Sequence, residues 1–251
     1  MASGQLVGQV ALVTGGVRKI GRAIALALAG EGAAIAVNAK TSREEADDTV
    51  REIAAQGGTA RTVMADVTDE AAVARMVEEI SAALGPVDIL VNNAAIRRDS
   101  AFADMSFADW RAIMAVVLDG AFLVSRAVVP GMVAKGRGSI INIGGVTAHT
   151  GAVGRAHVST AKAGLVGLTR ALAVEYGGNG ITVNCVAPGR IAGPRSATSG
   201  KGGTIPGGGH PLVGHDGAPQ DIAATVAFLC SPSGRYITGQ TIHVNGGIYL
   251  G

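Results

Sequence analysis

Val10-Ala11-Leu12-Val13-Thr14-Gly15-Gly16-Val17-Arg18-Lys19-Ile20-Gly21 is the stretch that decides the fold. A short apolar run, residues 10–14, is closed by two glycines, and a helical pattern follows over residues 20–30. Outward from this unit the same alternation repeats. Apolar runs at 34–38, 60–65, 87–92, 139–143, 181–186 and 241–245 are interleaved with helical patterns at 43–56, 70–84, 158–176 and 221–229, and a long one starts at Ser106. Ser106 and Asp109 have the spacing of a capping box. The runs are continuously apolar, which is the pattern of parallel strands covered on both faces. The sequence therefore predicts an α/β fold. It is a Rossmann-type, doubly wound, mainly parallel sheet with helices on both faces, in one domain spanning 1–251. No repeat or linker divides the chain. Residues 193–216, rich in Gly, Ser, Thr and Pro at their start, read as a flexible substrate loop or lid.

Composition narrows the function classes. The 251 residues are 48% hydrophobic, enough for a large core. Lys and Arg number 21 against 19 Asp and Glu, so the near-balance argues against a general nucleic-acid or membrane-surface binder. Glycine occurs 38 times, about twice ordinary usage, and asks for many tight turns or close backbone approaches. Cys185 and Cys230 lie in apolar runs and read as buried, reduced thiols. No stretch of 18 consecutive apolar residues indicates a membrane helix. Residues 1–8 lack the basic start and apolar stretch of a secretory signal. Together these features predict a cytoplasmic globular protein.

The loop 14–21 joins the first strand to the first helix. Glycines there let the backbone approach a pyrophosphate, and the helix N-terminus offers free N–H groups. The alternative is a plain strand–helix turn. An acid about 20 residues on would hold the ribose hydroxyl of NAD. Here the second run ends Val37-Asn38-Ala39-Lys40-Thr41-Ser42-Arg43, with cations and no acid. With Arg18 and Lys19, these cations would neutralise a 2′-phosphate, which favours NADP(H) over NAD(H). Read blandly, they are solvated surface charges.

Several ordered motifs extend the pattern over essentially the whole chain. They resemble the classical short-chain dehydrogenase/reductase family, in particular its 3-oxoacyl-carrier-protein reductase-like members. Thr14 to Gly21 is similar to that family's TGxxxGIG loop, which places Gly15, Ile20 and Gly21 at the cofactor. Asp66-Val67 resembles the pair at the adenine, and Asn92-Asn93-Ala94-Ala95 the segment flanking the cofactor. Asn184-Cys185-Val186-Ala187-Pro188-Gly189 resembles the segment on the nicotinamide, and Ile191 follows it. His243-Val244-Asn245-Gly246-Gly247 resembles the C-terminal strand region, often part of a tetramer interface. The resemblance implies a nicotinamide-dependent oxidoreductase acting on the carbonyl or alcohol of a small or acyl-type substrate, assembled as a homo-oligomer, dimer or homotetramer.

The family's reaction uses Asn, Ser, Tyr and Lys. Tyrosine exchanges the proton of the alcohol and needs an adjacent cation to do so near neutral pH. This chain keeps Lys162, which the resemblance places at the nicotinamide ribose. Val158 stands four residues earlier in place of Tyr, Gly145 in place of Ser and Val117 in place of Asn. Lys19 replaces the middle glycine of the loop and would be strained if that position needs a positive φ. Valine and glycine cannot transfer protons, so a water, His157 or His149 would have to serve, with Ser159 and Thr160 nearby. Equally, the two histidines are loop or interface residues. Arg155, Arg97, Arg98, Arg190 and Arg195 would surround an anionic or phosphate-bearing acyl substrate, or are ordinary surface arginines. His210 and His215 lack a third ligand, and no metal site is expected. The stripe Trp110, Ile113, Val117 and Val124 reads as packing against the sheet or another subunit. Three functions remain open. They are an oxidoreductase with a non-standard proton donor, an inactive subunit supporting an active paralogue in a hetero-oligomer, and a non-redox elimination or hydration on the same fold.

Overall fold

A computed structural model describes residues 4–193 and 204–251. The central part of the expected lid, with Arg195, lies outside the described residues. The strands are β1 (Val10–Val13), β2 (Ala34–Ala39), β3 (Ala60–Met64), β4 (Ile89–Asn92), β5 (Gly138–Ile143), β6 (Ile181–Pro188) and β7 (Thr241–Val244). They form one sheet in the order β3-β2-β1-β4-β5-β6-β7, every neighbouring pair parallel. The order reverses between β1 and β4, which opens the crevice at the C-terminal ends of the strands where such sheets take ligands.

Two faces of the sheet need two cores, and alternate residues of each strand serve them. Ala11, Val13, Ile35, Val37, Ile89, Val91 and Ile141 pack on α1 (Lys19–Gly30), α2 (Arg43–Ala55) and α8 (Pro219–Cys230) through Ile24, Leu28, Ile53, Ile222 and Val226. Leu12, Leu90, Ile140 and Val183 face the other way. They meet Ile80 of α3 (Glu70–Ala83) and Val124, Val128 and Met132 of α5 (Gly120–Lys135). A third cluster joins α4 (Phe107–Met114) and the turn after it to α7 (Ala156–Tyr176): Ile113, Val117, Ala121, Val158, Ala161 and Leu165.

The helix ends follow their local chemistry. The Ser106 hydroxyl accepts from Asp109 N at 3.0 Å, as its spacing predicts. Asp69 caps α3 through Ala72 N at 2.9 Å. The last helix begins at Pro219, two residues before the sequence pattern does, because proline is tolerated at the first helical position and Asp221 accepts from Ala218 N at 2.7 Å. The long helix from Ser106 is interrupted by a π-helical turn, Ala115–Asp119, centred on Val117. A single helical turn, α6 (Thr147–Thr150), follows β5 and has no counterpart in the sequence pattern.

The continuous helical stretch 107–135 passes, by length and composition, as a membrane-crossing helix, with 44% of its most apolar window buried. The expectation that no such segment exists rested on unbroken apolar runs, and this one is broken by Asp109, Arg111, Asp119, Arg126 and Lys135. In the fold its inner side is a core element, and Arg126 on its outer side pairs with Glu70. Cys185 and Cys230 are both free and buried.

Candidate active site

The glycine loop is held to the end of β4. Thr14 Oγ1 accepts from Asn93 N and Ala94 N at 3.0 and 3.1 Å and donates to Val91 O at 3.2 Å. Asn93 Nδ2 donates to Thr14 O and Gly15 O at 2.9 and 3.0 Å. Gly15 has φ +61, and Lys19 has φ +48, the one positive φ at a non-glycine position among the described residues. The strain that the sequence makes conditional is therefore present, and it costs about 1–3 kcal/mol. Gly21 faces the turn so closely that a Cβ there would lie 2.3 Å from Gly15 O and 2.5 Å from Asn93 Nδ2. Gly21→Ala is therefore expected to cost about 1–3 kcal/mol and to weaken nicotinamide-nucleotide binding at least tenfold. Denaturant unfolding and nucleotide titration of the variant measure both effects.

Two of the cations expected around a 2′-phosphate are already engaged. Arg18 lies 3.6 Å from Glu45, and Lys40 Nζ 2.6 Å from Asp66. Burial pushes the Asp66 carboxyl up, but Lys40 and the Thr68 hydrogen bonds outweigh it and hold the group below its ordinary value. Asp66 thus stands at the end of β3 beside Val67, which is buried. Ile20 and Ala94 are half-buried at the same rim. At the other side, Pro188 ends β6, and Gly189 passes so close to Asn245 that a Cβ would lie 2.6 Å from its Cα. Ile191 bridges to Gly217.

A buried polar chain lies below the strand ends, and most of it carries no signal in the sequence. Asn92 Nδ2 donates to Ser125 Oγ at 3.0 Å and to Asn142 Oδ1 at 2.9 Å, and Asn142 Nδ2 donates to Thr169 Oγ1 at 2.9 Å. It ties β4, β5, α5 and α7 together under the site. Only a contact map could show that Ser125 and Thr169, on different helices, face the same asparagines.

Lys162 is 5% exposed and its ammonium donates to Ile143 O. Burial, and then the nearby Arg97, push it down to about 7, against a small opposing effect of Cys185. The neighbouring thiol of Cys185 is pushed up to about 11 by its own burial. At Gly145 an added Cβ would meet nothing within 4 Å, so the missing hydroxyl is not excluded by space. Val158 and Val117 are 5% and 2% exposed and belong to the same apolar cluster. Thr14, Val67, Asn92, Ala94, Val116 and Val117 line a crevice with essentially no enclosed volume. A larger cavity of about 450 Å³, lined by Gly8, Gln9, Ile53, Gln56 and Thr59 among others, lies at the opposite, N-terminal end of the strands. Its lining carries no titratable side chain, so it is not the reactive centre.

The two candidate histidines go to different places. His157 has no exposed surface, and neither ring nitrogen has a hydrogen-bond partner. On α7 it shares a side with Ala161 and Leu165, one position round from the line of Val158 and Lys162. Burial depresses its pKa, with Asp109 and Asp99 opposing that shift and Arg155 and Arg98 adding to it. His149 instead meets His243 and Tyr249. Ser159 Oγ is buried without a partner, and Thr160 is exposed. Of the arginines, Arg155 pairs with Asp99 at 2.7 Å, Arg190 with Asp216 at 3.1 Å and Arg98 with Asp109. Among the described residues, no group of three His, Cys, Asp or Glu side chains is placed to hold a metal ion.

Known proteins share this arrangement. A family model described as enoyl-(acyl carrier protein) reductase matches residues 15–249. The 3-oxoacyl-[acyl-carrier-protein] reductase FabG of Staphylococcus aureus (strain Mu50 / ATCC 700699) is 43% identical over 241 residues, covering 96% of this chain and 98% of that protein. This chain belongs to the short-chain dehydrogenase/reductase family. FabG of Escherichia coli (strain K12) is 42% identical over 246 residues, covering 97% and 98%. A solved structure of a blue fluorescent protein from a metagenomic library, in complex with NADPH, superposes with TM-score 0.88 at 38% identity, covering 98% of this chain and all of that one. As a short-chain dehydrogenase/reductase, the chain has the fold of an oxidoreductase that uses a nicotinamide cofactor. The glycine loop, the Asn92–Asn93 segment and Lys162 fit that group. The loop leaves backbone room for a pyrophosphate, and Lys162 is a buried cation with one acceptor. Gly145, Val158 and Val117 stand where the resemblance implied a serine, a tyrosine and an asparagine.

Proposed function

We propose that this chain binds NADP(H) in preference to NAD(H) and interconverts a carbonyl and an alcohol on a small or acyl-type substrate, using a proton donor other than tyrosine. The observation that carries the reading is Lys162, buried and fixed on Ile143 O beside the emptied positions. A bound nicotinamide supplies the hydride. The chain's part is then to hold the ribose through Lys162, to keep Pro188, Gly189 and Ile191 against the ring, and to deliver a proton to the substrate oxygen. A water beside Lys162, in the open space at Gly145, is favoured over His157, which is wholly buried, and over His149, which is turned toward the C-terminal tail. The relatives' names make a 3-oxoacyl thioester the first substrate to test. Consumption of NADPH with such a thioester is the expected result, retained in His157→Ala and His149→Ala. Failure of the chain to bind NADPH at all would overturn the reading.

The cofactor preference has its own test. Arg18 and Lys40 are exposed, and their present pairs with Glu45 and Asp66 are weak enough for a phosphate to displace. Dissociation constants are expected to be lower for NADPH than for NADH. Arg18→Ala and Lys40→Ala should each narrow that ratio by roughly fivefold, corresponding to about 1 kcal/mol. An unchanged ratio in both variants would assign the phosphate elsewhere.

One observation favours a second reading. Val117 and Val158 do not merely lack hydroxyls but close an aliphatic cluster with Ile113, Ala161 and Leu165. A non-catalytic subunit that stabilises an active paralogue would tolerate such a filling. Exposed Phe107 (76%), Tyr236 (99%) and Leu250 (81%) support assembly, either with further copies of this chain or with that paralogue. Turnover that arises only on co-purification with an intact relative distinguishes this reading from the first. The two buried, unpaired thiols fit a reducing, cytoplasmic setting.

A further inference from the structure

We propose that His149, His243 and Tyr249 form a binding site for a divalent transition-metal ion, with Zn²⁺ as the probe, which fastens the C-terminal tail to the segment following Gly145. The three side chains come from α6, from β7 and from the tail. The ring centres lie 4.5 Å apart for His149 and His243, 5.3 Å for His149 and Tyr249, and 4.8 Å for His243 and Tyr249. Gly246 and Gly247, at φ +63 and +84, turn the chain back, and Asn245 Nδ2 donates to the backbone O of Tyr249 at 3.2 Å, which ties the tail to the end of β7.

The inward nitrogens carry the argument. Nε2 of His149 and Nδ1 of His243 are both shut off from solvent and have no hydrogen-bond partner. Buried polar atoms left this way are costly, and here two of them sit on neighbouring rings from separate elements, so one ligand shared between the rings would relieve both. An ion held by two imidazoles at about 2.0–2.1 Å brings their ring centres to roughly 5 Å, near the spacing found. Imidazole nitrogens suit zinc, nickel and copper, and the absence of carboxylates from the trio disfavours calcium and magnesium. Tyr249 supplies a third donor, releasing its phenol proton to solvent on binding, and a water completes four-coordination. Arg170 is the charged group that acts on His149, and it is exposed, so water screens its repulsion. The site does not depend on the reaction proposed above.

Titration of the untagged full chain, stripped with chelator, with ZnCl₂ is expected to show one ion per chain and a rise in Tm. His149→Ala and His243→Ala should each weaken binding by more than the roughly 10–100-fold that loss of an outer-shell partner costs a metal site. Tyr249→Phe should weaken it less. His149→Gln and His243→Gln keep a polar side chain and serve if the alanine variants misfold, with NADPH binding as the check on folding. A His210→Ala, His215→Ala variant should bind Zn²⁺ as before. No binding by the natural sequence, or binding unaffected by the His149 and His243 substitutions, overturns the proposal.

Discussion

Introducing the three groups that the resemblance implies at these positions, by Val158→Tyr, Gly145→Ser and Val117→Asn together, is expected to raise turnover of a 3-oxoacyl thioester by about 10²–10⁴-fold, the range that a positioned acid contributes. Each change has a structural basis. Gly145 faces open space, so the Cβ of a serine meets nothing within 4 Å. Val158 stands one helical turn before Lys162, so a tyrosine there shares the lysine's side of α7. The π-helical turn around residue 117 is in place although its asparagine is not. Most of the gain should come from Val158→Tyr, because the phenol is the proton carrier and the other two groups support it. Initial rates of NADPH oxidation for the single and triple variants measure the effect. A triple variant that folds, binds NADPH and gains nothing would show that the site differs from its relatives beyond these positions.

Lys162→Met should separate activity from stability. The variant is expected to lose turnover by about 10²-fold or more, since the cation that the proposed function assigns to the ribose is gone. It should also be more stable than the parent at neutral pH by about 1–4 kcal/mol, because a buried cation is replaced by an apolar side chain of similar length. The sign with pH follows from the same burial. Lys162 is held at about 7 in the fold. In the unfolded chain its pKa is about 10.4. Between these values the unfolded chain binds the extra proton, so stability rises with pH over that window and the burial penalty is fully present below it. Urea unfolding of the cofactor-free protein near pH 7 and pH 9 should show the rise, and Lys162→Met should flatten it. Equal slopes in the two proteins would place the buried charge elsewhere.

The strands were legible because burial on both faces forces continuous apolar runs. Each run lies within two residues of the strand found, the largest differences being at the start of β4 and the end of β6. The long pattern from Ser106 was legible as a helix but not as two helices joined by a π turn, since periodicity counts apolar residues and not hydrogen-bond register. Lys162, Gly145, Val158 and Val117 could be placed from motif order alone. The fate of the charged and polar side chains could not. Nothing local indicates that Lys40 rests on Asp66 or that Asn92 reaches Ser125 and Asn142.

By itself, then, the sequence determined the sheet, the helices that alternate with it and the glycine loop between β1 and α1. All of these are written in spacing along one chain. Tertiary structure alone decided that Lys19 takes a positive φ, that His157 is wholly buried and that His149 meets His243 and Tyr249. The physical reason is that local periodicity encodes which side of an element is buried. Which distant side chain waits there is set only when the elements pack.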